Sequence, residues 1–252
     1  MKPLVIMPTY NEKDNLPLII IKILEKERFD ILVVDDSSTD GTTEIAEHWT
    51  KNDPRVHLLQ RPGKLGLGTA YIAGFKWGLE RDYDCFIEMD ADLSHDPAML
   101  PLFLEEIEGG ADLVVGSRYM GGTISVVGWD FRRLLLSRLG NIYAATLLRT
   151  RLTDMTSGFR AFSRRALEAI DLDAVHSEGY AFQIELAYRV WREGLRVKEI
   201  AIVFTERAYG SSKISQNIVR EALALPWRLK VEDVKCGVKR SLGPRERPGG
   251  AN

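Results

Sequence analysis

Short apolar runs, each giving way to polar or glycine residues at its carboxyl end, constrain this chain more than any other feature. Leu4-Val5-Ile6-Met7, Ile31-Leu32-Val33-Val34, Val56-His57-Leu58-Leu59, Cys85-Phe86-Ile87 and Asp112-Leu113-Val114-Val115-Gly116 are too short for helices and mostly too apolar for half-exposed strands. They predict buried parallel strands, the first of them ended by Pro8. Helical spacing fills the intervals. Leu16, Ile20, Ile23 and Leu24 share one side of a helix from residue 14 to about residue 28, and helices are predicted over 70–79 and 97–107. Strand and helix alternating over short connections predict one α/β domain, three layers thick, on a mainly parallel sheet. In such sheets ligands collect at the carboxyl ends of the strands. That rule gathers Pro8 to Glu12, Asp35-Asp36, Asp90 to Asp92 and Arg118 along one edge.

The second half is less regular. Phe131, Leu135, Leu139, Ile142 and Tyr143 place an amphipathic helix over 130–149, and further elements are predicted as a helix over 183–192 and a strand over 197–204. Ile214, Ile218, Ala222, Leu225 and Leu229 mark a last helix over 214–229, which Pro226 should kink or end. The domain is therefore assigned to 1–230. Residues 231–252 lose their apolar content and are expected to form a disordered tail.

The net charge of -2 argues against a nucleic-acid partner. It conceals an asymmetry: from 131 to 165 the only acid is Asp154, against Arg132, Arg133, Arg138, Arg149, Arg151, Arg160, Arg164 and Arg165. Two distant cysteines, Cys85 and Cys236, without metal-type spacing argue against a disulfide framework or zinc site and suggest a cytosolic compartment. The opening apolar stretch is too short for a signal peptide, and no window reaches the ~20 apolar residues of a membrane span.

Glu88-Met89-Asp90-Ala91-Asp92 is the chemical centre. Asp90 and Asp92 are two apart after a strand, so strand alternation would point them the same way, at one cation. A hard divalent ion, Mg²⁺ or Mn²⁺, held by oxygen ligands would relieve their repulsion and keep positions open for substrate phosphates. Aspartates at strand ends also serve turns, so the pair alone does not decide. Asp36, after another apolar run, suits a base N–H or ribose hydroxyls, whereas residues 37–41 read as a turn. Gly66-Leu67-Gly68-Thr69-Ala70 reads as a turn into a helix, with Lys64 near a phosphate, and His95 as a turn residue. Arg118, Arg207 and Lys213 are cations suited to anionic groups, and residues 206–213 form a candidate lid. Residues 153–160, Ser157 among them, set hydroxyls beside Arg160, which suits a phosphate.

These stretches carry a resemblance. Pro8-Thr9-Tyr10-Asn11-Glu12, Val33-Val34-Asp35-Asp36-Ser37-Ser38-Thr39-Asp40-Gly41 and Leu65-Gly66-Leu67-Gly68-Thr69-Ala70 resemble family-2 glycosyltransferases of the GT-A fold. Met89-Asp90-Ala91-Asp92-Leu93-Ser94-His95, Gly116-Ser117-Arg118-Tyr119, Thr156-Ser157-Gly158-Phe159-Arg160 and Arg207-Ala208-Tyr209-Gly210-Ser211-Ser212-Lys213 narrow it to the dolichyl- or polyprenyl-phosphate mannose synthases. The resemblance implies GDP-mannose as donor and a polyprenyl or dolichyl phosphate as acceptor. It places Pro8, Tyr10, Glu12, Val34 and Asp36 at the guanosine, and Asp90, Ala91 and Asp92 at the diphosphate and its Mg²⁺ or Mn²⁺. Ser94 stands where some relatives carry glutamine and offers the metal a poorer ligand. Arg118, Arg207 and Lys213 would bind the donor diphosphate, and Arg118, Ser157 and Arg207 the acceptor phosphate. Asp92, Arg118, Arg207 and Lys213 would carry catalysis.

A phosphate monoester acceptor is already ionised near neutrality, so it attacks without a protein base, and inversion at C1 is expected. The helices at 130–149 and 214–229 would lie on the cytoplasmic face of a membrane, directly or through a small membrane-protein anchor. Two other readings follow from the same residues: a polyprenyl-phosphate glucosyltransferase using UDP-glucose, and a non-catalytic nucleotide-sugar-binding protein.

Overall fold

The structure, a computed structural model, describes residues 1–206, 216–235 and 237. Strands β1 (Pro3–Thr9), β2 (Asp30–Asp35), β3 (Val56–Gln60), β4 (Cys85–Glu88) and β5 (Leu113–Ser117) follow the apolar runs, and β6 is Val126–Val127. Strands β7 (Arg160–Ser163), β8 (Val197–Ala201) and β9 (Phe204–Thr205) complete the set. Seven of them form one sheet in the order β3-β2-β1-β4-β7-β5-β8, and β6 pairs with β9 apart from it. Every pairing is parallel except those of β7, which runs antiparallel between β4 and β5.

The helices are α1 (Leu16–Leu24), α2 (Thr42–Asn52), α3 (Leu67–Leu79), α4 (Leu100–Glu108), α5 (Phe131–Leu148), α6 (Arg164–Ala169), α7 (Gly179–Arg192) and α8 (Gln216–Lys235). Side chains alternate across the sheet with a period of two. Leu4, Ile6, Leu32, Val34 and Phe86 pack with Tyr71, Phe75 and Phe182 of α3 and α7 on one face. Val5, Met7, Ile31, Val33 and Ile87 pack with Ile19, Ile20 and Phe103 of α1 and α4 on the other. Helix α3 lies close on its strands because Gly74 and Gly78 lack side chains. A Cβ at Gly74 would stand 2.5 Å from Ile6 Cγ2, and one at Gly78 would stand 2.6 Å from Phe86 Cε1.

Several expectations change. Pro8 lies inside β1, paired with Val34. The Ile6 carbonyl accepts from Met89 N–H on the β4 side, so a Pro8 N–H would point the same way. β4 stops pairing at Ile6, so the missing N–H removes no ladder bond. Strand β7 and helix α6 have no counterpart among the expected elements. The strand expected over 197–204 is two, since β8 joins β5 while β9 crosses to β6. Pro226 sits inside α8, and the helix runs on to Lys235, into the segment expected as a tail. Contacts to α7 hold it there: Asp233 accepts from the Tyr188 hydroxyl and stands 3.6 Å from Arg192 Nη1.

Candidate active site

The carboxyl ends of β1, β2, β4 and β5 converge on one edge. At the end of β2 the two aspartates divide. Asp35 is wholly buried and spent on its own turn, accepting from the hydroxyls of Thr9 (2.8 Å), Ser38 (2.6 Å) and Thr43 (2.7 Å). Asp36 accepts from Arg61 Nε (2.6 Å) and Nη2 (3.1 Å) and from the Leu65 N–H (3.1 Å). Arg61 is itself buried and reaches on to Thr69 Oγ1 and the Gly66 carbonyl. No motif marks Arg61 in the sequence, where it stands 25 residues from its partner.

Tyr10 is exposed beside this pair, and Lys64 Nζ lies 4.0 Å over its ring centroid. Glu12 accepts from Asn15 Nδ2 at 2.7 Å and Pro8 is half-buried. The Val34 side chain is wholly buried in the core, so it can offer a nucleoside only its main chain. The Gly66–Gly68 turn starts α3, as expected. The Glu178 carboxylate caps it at Gly68 N–H (3.1 Å), in the space a Gly66 side chain would need.

β4 ends at Glu88, so Asp90 and Asp92 lie beyond the strand, in a stretch that bends from Ala91 and reaches positive φ at Leu93 (64°), and do not alternate along a strand. Asp90 Oδ1 accepts from the Tyr71 hydroxyl (3.2 Å), and Asp92 Oδ1 from the Ser94 N–H (3.0 Å). Burial, then the charges of Asp90 and Glu88 and the Asp90 hydrogen bond, with Asp92 adding a smaller share, drive the Tyr71 hydroxyl well above its usual range. His95 is buried, accepts the Asp90 N–H at Nδ1 (3.2 Å) and stacks on Phe159 at 4.8 Å. Burial pulls its pKa down to about 4 against the pull of Asp92, so it is neutral and props the turn. Beneath lies Glu88, pushed up to about 8 by burial, with the Arg160 charge and the nearby Gln183 amide opposing. Neither of its oxygens is in hydrogen-bonding geometry with a partner.

The donor set fits a hard cation. Ser94 Oγ is buried without a hydrogen-bond partner, next to the buried Asp92 carboxylate and within the turn that carries Asp90. These are oxygen ligands, as Mg²⁺ or Mn²⁺ prefers. Among the described residues no three histidine, cysteine or acidic side chains form a complete cage. The arrangement suits an ion whose remaining positions are filled by water and substrate phosphates.

Arg118 differs from its expected part as an open cation. It is buried, and its Nε and Nη2 both lie 2.7 Å from Asp154 oxygens, with Nη2 also 2.8 Å from Thr156 Oγ1. Burial disfavours both charges, but the pairing wins, lowering the Asp154 pKa and raising that of Arg118. No hydrogen bond among the described residues uses Arg118 Nη1. The Arg160 guanidinium, expected beside phosphate-binding hydroxyls, is instead wholly buried and donates to the carbonyls of Ser157, Gln183 and Met155. Ser157 is buried too, its hydroxyl turned to the Phe159 N–H (3.4 Å). Nothing in the residue pattern singles out Trp129 and Arg133. They stack at 4.2 Å beside Arg118, and Trp129 Nε1 and Arg133 Nε are buried donors without partners. Arg207 and Lys213 lie outside the described residues.

Beyond this edge the α5 face carrying Phe131, Leu135, Leu136, Leu139 and Ile142 is exposed, Phe131 to 75%. On α8 the expected stripe is partly core, since Leu225 and Leu229 are buried, while Leu223, Trp227, Val231 and Val234 form a second, exposed stripe. Among the described residues no helix is long and apolar enough to cross a membrane.

The chain is similar to known proteins. The family profile described as Glycosyl transferase family 2 matches residues 4–171. The polyprenol monophosphomannose synthase of Mycolicibacterium smegmatis is 49% identical over 225 residues, 88% of this chain and 84% of that protein. The undecaprenyl-phosphate mannosyltransferase of Micrococcus luteus is 48% identical over 244 residues, 96% of this chain and 100% of that protein. Among solved structures, glucosyl-3-phosphoglycerate synthase from Mycobacterium tuberculosis, in complex with Mn²⁺, UDP and glucosyl-3-phosphoglycerate, superposes with a TM-score of 0.66. It is 19% identical, with 95% of this chain and 81% of that one covered.

Proposed function

The chain belongs to glycosyltransferase family 2, with a GT-A fold, and on that premise we propose that it transfers mannose from GDP-mannose to a polyprenyl phosphate, with inversion at C1. The observation that carries this reading is the oxygen-only set of Asp90, Asp92 and the unpartnered Ser94 Oγ, separated in the sheet from the Asp36–Arg61 pair only by β1. Tyr10, Asp36 and the main chain at Val34 would hold the guanosine, with Pro8 and Glu12 at its border. Asp90, the Ala91 main chain and Asp92 would hold the diphosphate through Mg²⁺ or Mn²⁺, which when bound would offset charge on the departing group.

The residues of the chain do the rest by positioning. His95, neutral and stacked on Phe159, fixes the Asp90 main chain. Arg118, neutralised by Asp154, would offer its Nη1 alongside the unpartnered N–H groups of Trp129 and Arg133, three donors facing an acceptor phosphate. Arg207 and Lys213 would add the remaining positive charge, and Ser157 would shape the loop beneath. A phosphate nucleophile carries its own negative charge, which matches a site whose one histidine is held neutral. The exposed faces of α5 and α8 would rest on the cytoplasmic leaflet, where the lipid acceptor would reside.

The test supplies purified protein with polyprenyl phosphate, Mg²⁺ or Mn²⁺, and either GDP-[¹⁴C]mannose or UDP-[¹⁴C]glucose. Label should enter the organic phase from the mannose donor only, and should vanish with EDTA and in Asp92→Asn. Label from UDP-glucose alone would overturn the donor, and full activity in EDTA would overturn the metal.

A further inference from the structure

We propose that Lys64 selects the donor base: the ammonium that rests on Tyr10 reads the O6 and N7 edge of guanine when the base takes the tyrosine face. The inference rests on the GDP-mannose reading above and adds a residue to it. Lys64 Nζ lies 4.0 Å over the Tyr10 ring centroid, and the ring itself is 39% exposed at the end of β1. A cation over an exposed ring is held weakly, whereas a nucleobase stacks on such a face with larger area. The two compete for one surface, so a stacked base would leave the ammonium at its rim.

The main chain around Lys64 is fastened on both sides, which restricts that displacement to the side chain. The Arg61 carbonyl accepts from Ser37 Oγ at 2.6 Å, and the Leu65 N–H donates to Asp36 at 3.1 Å. Arg61 in turn holds the Gly66 carbonyl and Thr69 Oγ1. Lys64 is therefore carried by the same loop that closes on Asp36, and the two present opposite chemistry to one slot. An ionised carboxylate has about four lone-pair sites, and Asp36 uses three of them on Arg61 and Leu65. Guanine offers donors on its N1/N2 edge and two adjacent acceptors, O6 and N7, that suit a lysine or arginine. Uracil offers a donor at N3 but no such acceptor pair. Lys64 thus separates the two bases where Asp36 alone would accept either.

Binding of guanosine, GDP and UDP to the full chain in Mg²⁺ buffer, followed by ligand-observed NMR and calorimetry, tests this. Lys64→Met should weaken guanosine and GDP by a similar factor, about tenfold, and leave UDP nearly unchanged. Lys64→Arg should restore guanine binding, because a guanidinium spans O6 and N7. Loss confined to GDP, or equal loss for GDP and UDP, would make Lys64 a phosphate ligand and overturn the proposal. Tighter guanosine binding in Lys64→Met would reduce Lys64 to a competitor for the ring and overturn it too. Wild-type protein that prefers UDP would instead overturn the donor reading on which the proposal stands.

Discussion

Arg118 and Asp154 are charges taken almost wholly out of water and kept charged by each other. Removing one partner strands the other, which typically costs about 3–5 kcal/mol, whereas an exposed pair such as Lys51–Glu47 would contribute less than about 1 kcal/mol. Asp154→Asn is therefore expected to lower unfolding stability by about 3 kcal/mol in urea, along with activity. Glu47→Gln, on the exposed pair, should leave both within error. Glu88 makes a different demand. Its folded pKa of about 8 stands above the ordinary carboxyl value of 4.5, so the folded state keeps a proton that the unfolded state releases. The associated stability is present below about pH 4.5 and is lost as pH rises towards 8, at about 1.36 kcal/mol per pH unit at most. In EDTA, the melting temperature of Glu88→Gln should vary less with pH than that of the wild type across this window. Equal slopes would mean that Glu88 is ionised in the folded protein.

Elements were legible where burial on both faces writes itself as an unbroken apolar run. β1, β2, β4 and β5 are such strands, and their helices follow a 3.6-residue period. β7 is Arg160-Ala161-Phe162-Ser163, too short and too mixed to carry a period, and its partner β4 lies far back in the chain. The same distance problem hid Arg61, Trp129 and Arg133, whose importance lies in neighbours brought by the fold. Asp90 and Asp92 stood out by residue type, but their place beyond the end of β4, outside the strand alternation, did not. Helix α3 shows how context reverses a substitution. Gly74→Ala puts a methyl 2.5 Å from Ile6 Cγ2 and should destabilise by about 1–2 kcal/mol, net of helix propensity. Gly140→Ala on α5 meets nothing within 4 Å and should stabilise by up to about 1 kcal/mol. Thermal melts of the two variants check both signs.

At the scale of the whole molecule, the exposed apolar residues of α5 and α8 lie beside the basic stretch from Arg132 to Arg151. Flotation with liposomes containing anionic lipid should carry the wild-type protein upward, and Phe131→Glu should reduce the floated fraction severalfold. Absence of flotation in both would point to a separate membrane protein as the anchor. The reversed strand β7 bears on how the protein is made. While the chain is being synthesised, β4 and β5 emerge well before the segment that must fit between them. A nascent chain not yet extended to Arg160 thus carries one raw edge on β4 and two on β5, whose other neighbour β8 also comes later, all open to pairing with any neighbour. Ribosomes stalled just short of Arg160 should hold a chain that proteases cut readily, and extension past Ala201 should close both gaps.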